Sequence, residues 1–506
     1  MLKNINYKYV LLLAFLVTGI SCSDDFEAPA EEPISTELVI ELGTVINDSY
    51  IGNGVQWDPY PQAYKFWDLP IQDVDWQKMY DRLDYMKPSF LRVVFGSYDK
   101  YAHLGADNYN PIIFLEGMER ILQYCQDNNI TVMLGDWGYN QMDVNQNRIF
   151  ENRITNAAKY VKFLVEEKGF TCIKYYTTVN EPNLEGSATE GDYDLWKRTT
   201  EAFYRKLDSL GVSSKVKLAG PDIAPFSDNL TNWVTDMTAD LGDKVKLYDI
   251  HTYPPKEAMY NGVYERTLAA YKNAAPAGTP IVIGEYGFKY ETGTSQIDQN
   301  LYNANLENIN SSANIALDSN TLVDEYFHGV DLIAATMKIV NAGYSGAINW
   351  NLDDAMHSGS NSGQDLKVWG FWNILGVEIL GNPQKEEVRP HFYSFSLISR
   401  YMQNGTKVFK VNIPRLVGVD AIAVENDGKY MIAINNIFSE DYEINVKAIG
   451  LSLSGAKKFV YKENDRTVDV NGYPTPEEEN LSYDFSAGET LSVPGTTLTV
   501  ITNFDY

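Results

Sequence analysis

Between residues 51 and 402, short apolar runs alternate with longer stretches of helical spacing, and few folds accept such a chain. The runs are IGNGVQW (51–57), FLRVVF (90–95), ITVMLGDW (130–137), IKYYTTVN (173–180), KVKLAGPD (215–222), KLYDIHTY (246–253), PIVIGEY (280–286) and SGAINW (345–350). Several carry apolar residues at successive positions rather than every second one, the pattern of strands buried on both faces. Helices are expected over 75–87, 114–128, 152–168, 193–210, 262–274, 324–341 and 388–402, with stops at Pro88, Gly169, Gly211 and near Gly343. Eight strands in about 350 residues suit one (β/α)8 barrel of α/β class. The competitor, an open doubly wound sheet, normally carries a Gly-rich phosphate turn after its first strand, and this chain has none there. Residues 288–323, rich in Asn, Ser and Thr, read as a rim loop able to cover the barrel mouth.

Two strand ends carry acid. The fourth run stops at Asn180-Glu181-Pro182, since Pro182 cannot donate a ladder hydrogen bond. The seventh ends in Gly284-Glu285-Tyr286-Gly287. Barrel enzymes keep their chemistry at the C-terminal ends of their strands. Two carboxylates brought together there are the equipment of glycoside hydrolysis, one acting as acid/base and the other as nucleophile. Arg92, inside FLRVVF, is an expensive charge to bury unless paired. His251 and Tyr253 alternate with Ile250 and Thr252, so they share a strand face. Asp136 and Trp137 end the third run and Trp350 the eighth; Trp57, Trp369 and Trp372 are further stacking candidates for a sugar.

With these residues in place, the chain resembles the clan A retaining glycoside hydrolases over roughly residues 50 to 400, families 5 and 39 in particular. The resemblance implies Glu181 as acid/base on strand 4 and Glu285 as nucleophile on strand 7. It implies Asn180 on the sugar 2-hydroxyl, Arg92 bracing the nucleophile, Tyr253 touching it, His251 bordering the site, and Trp350 under the sugar ring. An endo-acting enzyme on a β-linked polysaccharide is expected. An exo-acting β-glycosidase, an inverting enzyme with more widely spaced carboxylates, and a surface glycan-binding protein whose catalysis has lapsed stand as alternatives.

The N-terminus reads as an address. Residues 1–21 join Lys3 and Lys8 to the apolar run VLLLAFLVTGI, too short for a stable membrane span. Cys22 follows small residues and resembles the lipidated cysteine of a bacterial lipoprotein; Ser23-Asp24-Asp25 resembles tags for the outer face of the outer membrane. Residues 22–36 read as a flexible tether, and 37–49 as a strand able to join a C-terminal domain. The formal charge of −27 makes the chain a poor partner for nucleic acid. Cys125 and Cys172 are expected as buried thiols. No Cys/His cluster has zinc-site spacing, so neither a metal nor a cofactor is expected. A monomer is expected that meets the membrane only through its lipid anchor. From 404 to 506, short β-prone runs broken by Gly, Asn and Asp read as an antiparallel β-sandwich.

Overall fold

The computed structural model describes residues 36–60, 71–98, 104–105, 108–357 and 366–506. The expected leader, Cys22 and the tether up to residue 35 lie outside the described residues.

The eight runs form eight parallel strands: Gly52–Val55, Phe90–Phe95, Thr131–Asp136, Ile173–Thr177, Lys217–Ile223, Val245–Thr252, Ile281–Tyr286 and Gly346–Asn349. We number these barrel strands one to eight. From strand two to strand eight each pairs with the next in sequence, and strand eight pairs with strand one. The ring closes between strands one and two at a parallel bridge from Gln56 to Arg92. The fold is a (β/α)8 barrel.

One layer of the barrel interior is apolar. Phe90, Met133, Ala219, Leu247, Val282 and Ile348 pack together, with Ile51 and Tyr175 against them. Side chains alternate along a strand, so the same face two residues further on carries Arg92 above Phe90 and Asp249 above Leu247, then His251. The barrel is therefore plugged by hydrocarbon below and polar above. Gly284 holds the equivalent place above Val282, where a Cβ would lie 2.6 Å from Asp249 Cγ.

Two irregularities re-aim side chains into this polar layer. On strand seven, Ile283 pairs with Ile250 but Glu285 pairs with His251, so two strand-seven positions span one on strand six. On strand five, Pro221 pairs with Asp249 and Ile223 with Ile250, which leaves Asp222 as the extra residue. Bulges of this kind turn side chains that strict alternation would send outward.

Helices cover the barrel, with two departures from expectation. Thr231–Leu241 is a helix between strands five and six where none was expected. The segment expected as a rim loop contains the helix Gln296–Asn310, of which only Asp298 and Ile309 are buried. Cys125 and Cys172 are buried and unpaired.

The second unit is a nine-stranded, mostly antiparallel sheet. Eight strands come from residues 407–502 and the ninth is Glu37–Asn47. That strand lies antiparallel to Lys407–Asn412 and parallel to Tyr442–Lys447. Residues from distant strands, such as Leu38, Ala421, Ile434, Val446 and Leu491, share one core, so the sheet folds over on itself. Its other apolar face meets the barrel helix Tyr326–Asn341, buried all round from His328 to Val340. Lys338 on that helix bridges Glu265 of a barrel helix (2.7 Å) and Asp420 of the sheet (2.8 Å).

Candidate active site

Arg92 is the hub. Its side chain is fully buried, and Nη1 donates to Glu285 Oε2 at 2.8 Å and to Gln56 Oε1 at 2.5 Å. Nη2 donates to Asn180 Oδ1 at 2.8 Å and to Asp222 Oδ2 at 2.9 Å. A guanidinium presents its donors in a fixed plane, so this one residue sets the positions of four polar side chains at once. Burial works against its charge, but Asp222 and Glu285 raise its pKa above the ordinary value.

Glu181 follows strand four with φ 46°, and Asp222 has φ 63°. Both sit in the left-handed region, which costs a non-glycine residue on the order of 1 kcal/mol. The Glu181 amide donates to the Asp222 carbonyl at 3.1 Å, tying the two turns together. Tyr253 O–H donates to Glu285 Oε1. His251 Nδ1 lies 3.0 Å from Glu181 Oε1 and 3.8 Å from Glu285 Oε2, with Nε2 3.3 Å from Asp222 Oδ1. One carboxylate oxygen each of Glu181 and Glu285 and a ring nitrogen of His251 all lie within 4.8 Å of one another.

The charges are distributed unequally. Burial raises the Asp222 carboxyl, yet Arg92 and His251 outweigh it and hold Asp222 down at about 2. Asp249 is pushed well up by burial and by Asp222's charge, which favours its protonated form. Burial opposes the imidazolium of His251, but Asp222 and Glu285 raise its pKa well above the usual value. Burial also raises Glu285, helped by Glu181 and opposed by His251 and Arg92. Glu181 is raised by burial too, but the His251 hydrogen bond and charge, with Lys289 and Arg92, bring it below its ordinary value.

A cavity of about 110 Å³ opens over these groups. Asn180, Glu181, Tyr253 and Glu285 line it, with Trp137, Trp350 and Trp369 as aromatic walls. The Trp350 ring stacks on His357 at 4.9 Å, and Trp369 meets Tyr253 edge-on at 5.6 Å. Asp136 is not part of this cavity's lining: it is fully buried and accepts from Ser97 O–H, Gly138 N and Gln141 Nε2. Trp57 packs among Trp76, Tyr80 and Tyr124, and Trp372 donates to Asp353, so neither faces the cavity. Gln56, Asp222, Lys289, Asp318 and Lys367 went unmarked in the sequence; only Asp222, an acid closing a strand, offered a signal there.

Among the described residues, two acid groups sharing His251 have the spacing of metal ligands: Glu181 with Glu285, and Asp222 with Asp249. Sequence spacing could not show them, since they come from four strands. Arg92 already supplies the cation for Glu285 and Asp222, so this donor set does not suit a metal ion.

An acid pair over a buried arginine at the mouth of an eight-stranded barrel defines the class of (β/α)8 glycoside hydrolases. Residues 49–318 match the sequence profile of cellulase (glycosyl hydrolase family 5), and the chain belongs to that family. Comparison with curated protein sequences gives no match. Among solved structures, the chain resembles a family 30 subfamily 8 xylanase from Clostridium acetobutylicum at 13% identity and TM-score 0.59, covering 92% of this chain and 99% of the other. It also resembles an endo-β-1,6-glucanase at 15% identity and TM-score 0.59, with 94% of each chain covered. A family 39 β-xylosidase from Caulobacter crescentus matches at 11% identity and TM-score 0.56, over 92% of this chain and 99% of that one. These likenesses share the two-unit fold.

Proposed function

We propose that the protein is a retaining β-glycoside hydrolase that cuts within a polysaccharide, with Glu285 as nucleophile and Glu181 as acid/base. The observation that carries this is that an oxygen of Glu181 and an oxygen of Glu285 lie within 4.8 Å of each other, both against His251. Retaining enzymes hold the pair roughly 5–5.5 Å apart, whereas inverting ones leave about 6.5–9.5 Å for a water.

Glu285 attacks the anomeric carbon while Glu181 gives its proton to the leaving oxygen; water, deprotonated by Glu181, then cleaves the glycosyl-enzyme. Arg92 Nη1 and Tyr253 O–H stabilise the Glu285 anion. Asn180 accepts from Arg92 through Oδ1, which leaves its Nδ2 hydrogens for the sugar 2-hydroxyl. Trp350 offers a π surface to the ring. In the free site the proton balance leans the other way, since His251 and Lys289 draw Glu181 down. A sugar filling the cavity removes water from around Glu181, and loss of water favours the protonated carboxyl.

The test is hydrolysis of a panel of β-linked polysaccharides and aryl β-glycosides, with the anomer of the first product read by NMR. We expect the β anomer first, no turnover by Glu285→Gln, and a loss of about 10²–10⁴-fold in Glu181→Ala, partly restored by azide. An α anomer first would overturn the retaining assignment. Silence of the unmutated chain, with glycan binding intact, would favour the binding-protein reading.

A further inference from the structure

Next to the catalytic cavity lies a larger one of about 300 Å³, and the two share Lys289, Asp318 and Trp369. The helix Gln296–Asn310 lines it through Tyr302, a 38% exposed aromatic, and the exposed Leu317 lines it as well. A ring face and a hydrocarbon edge around an open cavity of this size accept a sugar ring.

The junction carries cations. Lys289 lies 4.8 Å above the Tyr253 ring and has no carboxylate ion pair among the described residues. Lys367, also at the catalytic cavity, is held by Asp318 at 2.7 Å. Glu181, Glu285 and Asp318 line the catalytic cavity with Lys289, and Glu291 and Asp318 the second one, yet none of them forms a close ion pair with it. A lysine ammonium donates to neutral hydroxyls too, but a charged donor is strongest on a charged acceptor.

Building on the hydrolase reading above, we propose that the glycan runs from the catalytic cavity into this second one, and that Lys289 receives an anionic group of the sugar at the junction, a uronate carboxylate or a sulfate ester. Such an anion does a second thing. It cancels the Lys289 field, one of those that strip the proton from Glu181. The substrate that fits the junction thereby restores the acid.

The experiment pairs each neutral β-glycan with its uronate-bearing and its sulfated form. It measures kcat/KM for the unmutated chain, Lys289→Met and Lys289→Arg, and binding of the same glycans to Glu285→Gln with and without Lys289→Met. We expect the charged-to-neutral ratio of kcat/KM to favour one anionic form by about tenfold or more, to collapse in Lys289→Met, and to survive in Lys289→Arg. Which form is preferred separates carboxylate from sulfate. Hydrolysis with a ratio near one, or a ratio untouched by Lys289→Met, overturns the anion site while leaving the hydrolase reading standing. Absent hydrolysis with anion-selective binding lost in Lys289→Met keeps the site and overturns the hydrolase reading.

Discussion

His251 touches three acids from three strands, and its proton decides what two of them do. While it is charged, it draws Glu181 down and opposes the rise of Glu285. The proposed acid thus holds its proton poorly in the free enzyme and better once a sugar excludes water. The active form is protonated Glu181, so its loss on raising the pH sets the alkaline limb. We expect that limb to lie at lower pH for kcat/KM, which reports the free enzyme, than for kcat, which reports the complex. Lys289→Met removes one lowering charge, so it moves the kcat/KM limb to higher pH. Two profiles on one neutral aryl glycoside check both statements, and coincident limbs would contradict the first.

At the scale of the strand, Gly284 matters as much as the glutamate it precedes. A methyl group there would drive into the Asp249 carboxyl and spread strands six and seven where the bulge aims Glu285. Gly284→Ala should cost about 1–3 kcal/mol of stability and, by displacing Glu285, on the order of a hundredfold in kcat/KM. Adding Asp249→Ala opens the space, so the double variant should melt above Gly284→Ala alone; additive losses would show that the two do not meet. The barrel strands were legible in sequence because both faces are buried and proline or glycine punctuates them, as in IVIGEYG. Glu181, Glu285, Asn180 and Tyr253 were legible as polar residues at the ends of such strands. The helix Gln296–Asn310 was not, since a helix with two buried residues carries almost no apolar period. Nor could spacing show that Asp136 turns into its own loop, or that a bulge brings Asp222 onto Arg92.

At the scale of the whole molecule, one core runs from the barrel helices into the sheet, and one helix and one strand stand out in it. Tyr326–Asn341 packs against barrel and sheet alike, so we expect a single calorimetric transition for the full chain; two separate ones would contradict a shared core. Glu37–Asn47 fills the gap between Lys407–Asn412 and Tyr442–Lys447. A chain starting at residue 48 leaves both edges open, and we expect it to self-associate on gel filtration, with a peptide of residues 36–47 restoring the monomer. A monomeric truncation of unchanged melting temperature would refute this. Lipidation at Cys22 is our proposal for the N-terminus, and Cys22→Ser should then move the protein from the membrane fraction to the soluble one.

The same strand has a mechanical consequence. Any pull on the chain upstream of residue 36 reaches the sheet before the barrel, and it loads two hydrogen-bonded ladders lengthwise. Ladders strained along their length share the force over many bonds. The chain enters the barrel only after Asn47, and the candidate site lies at the far, C-terminal ends of the barrel strands.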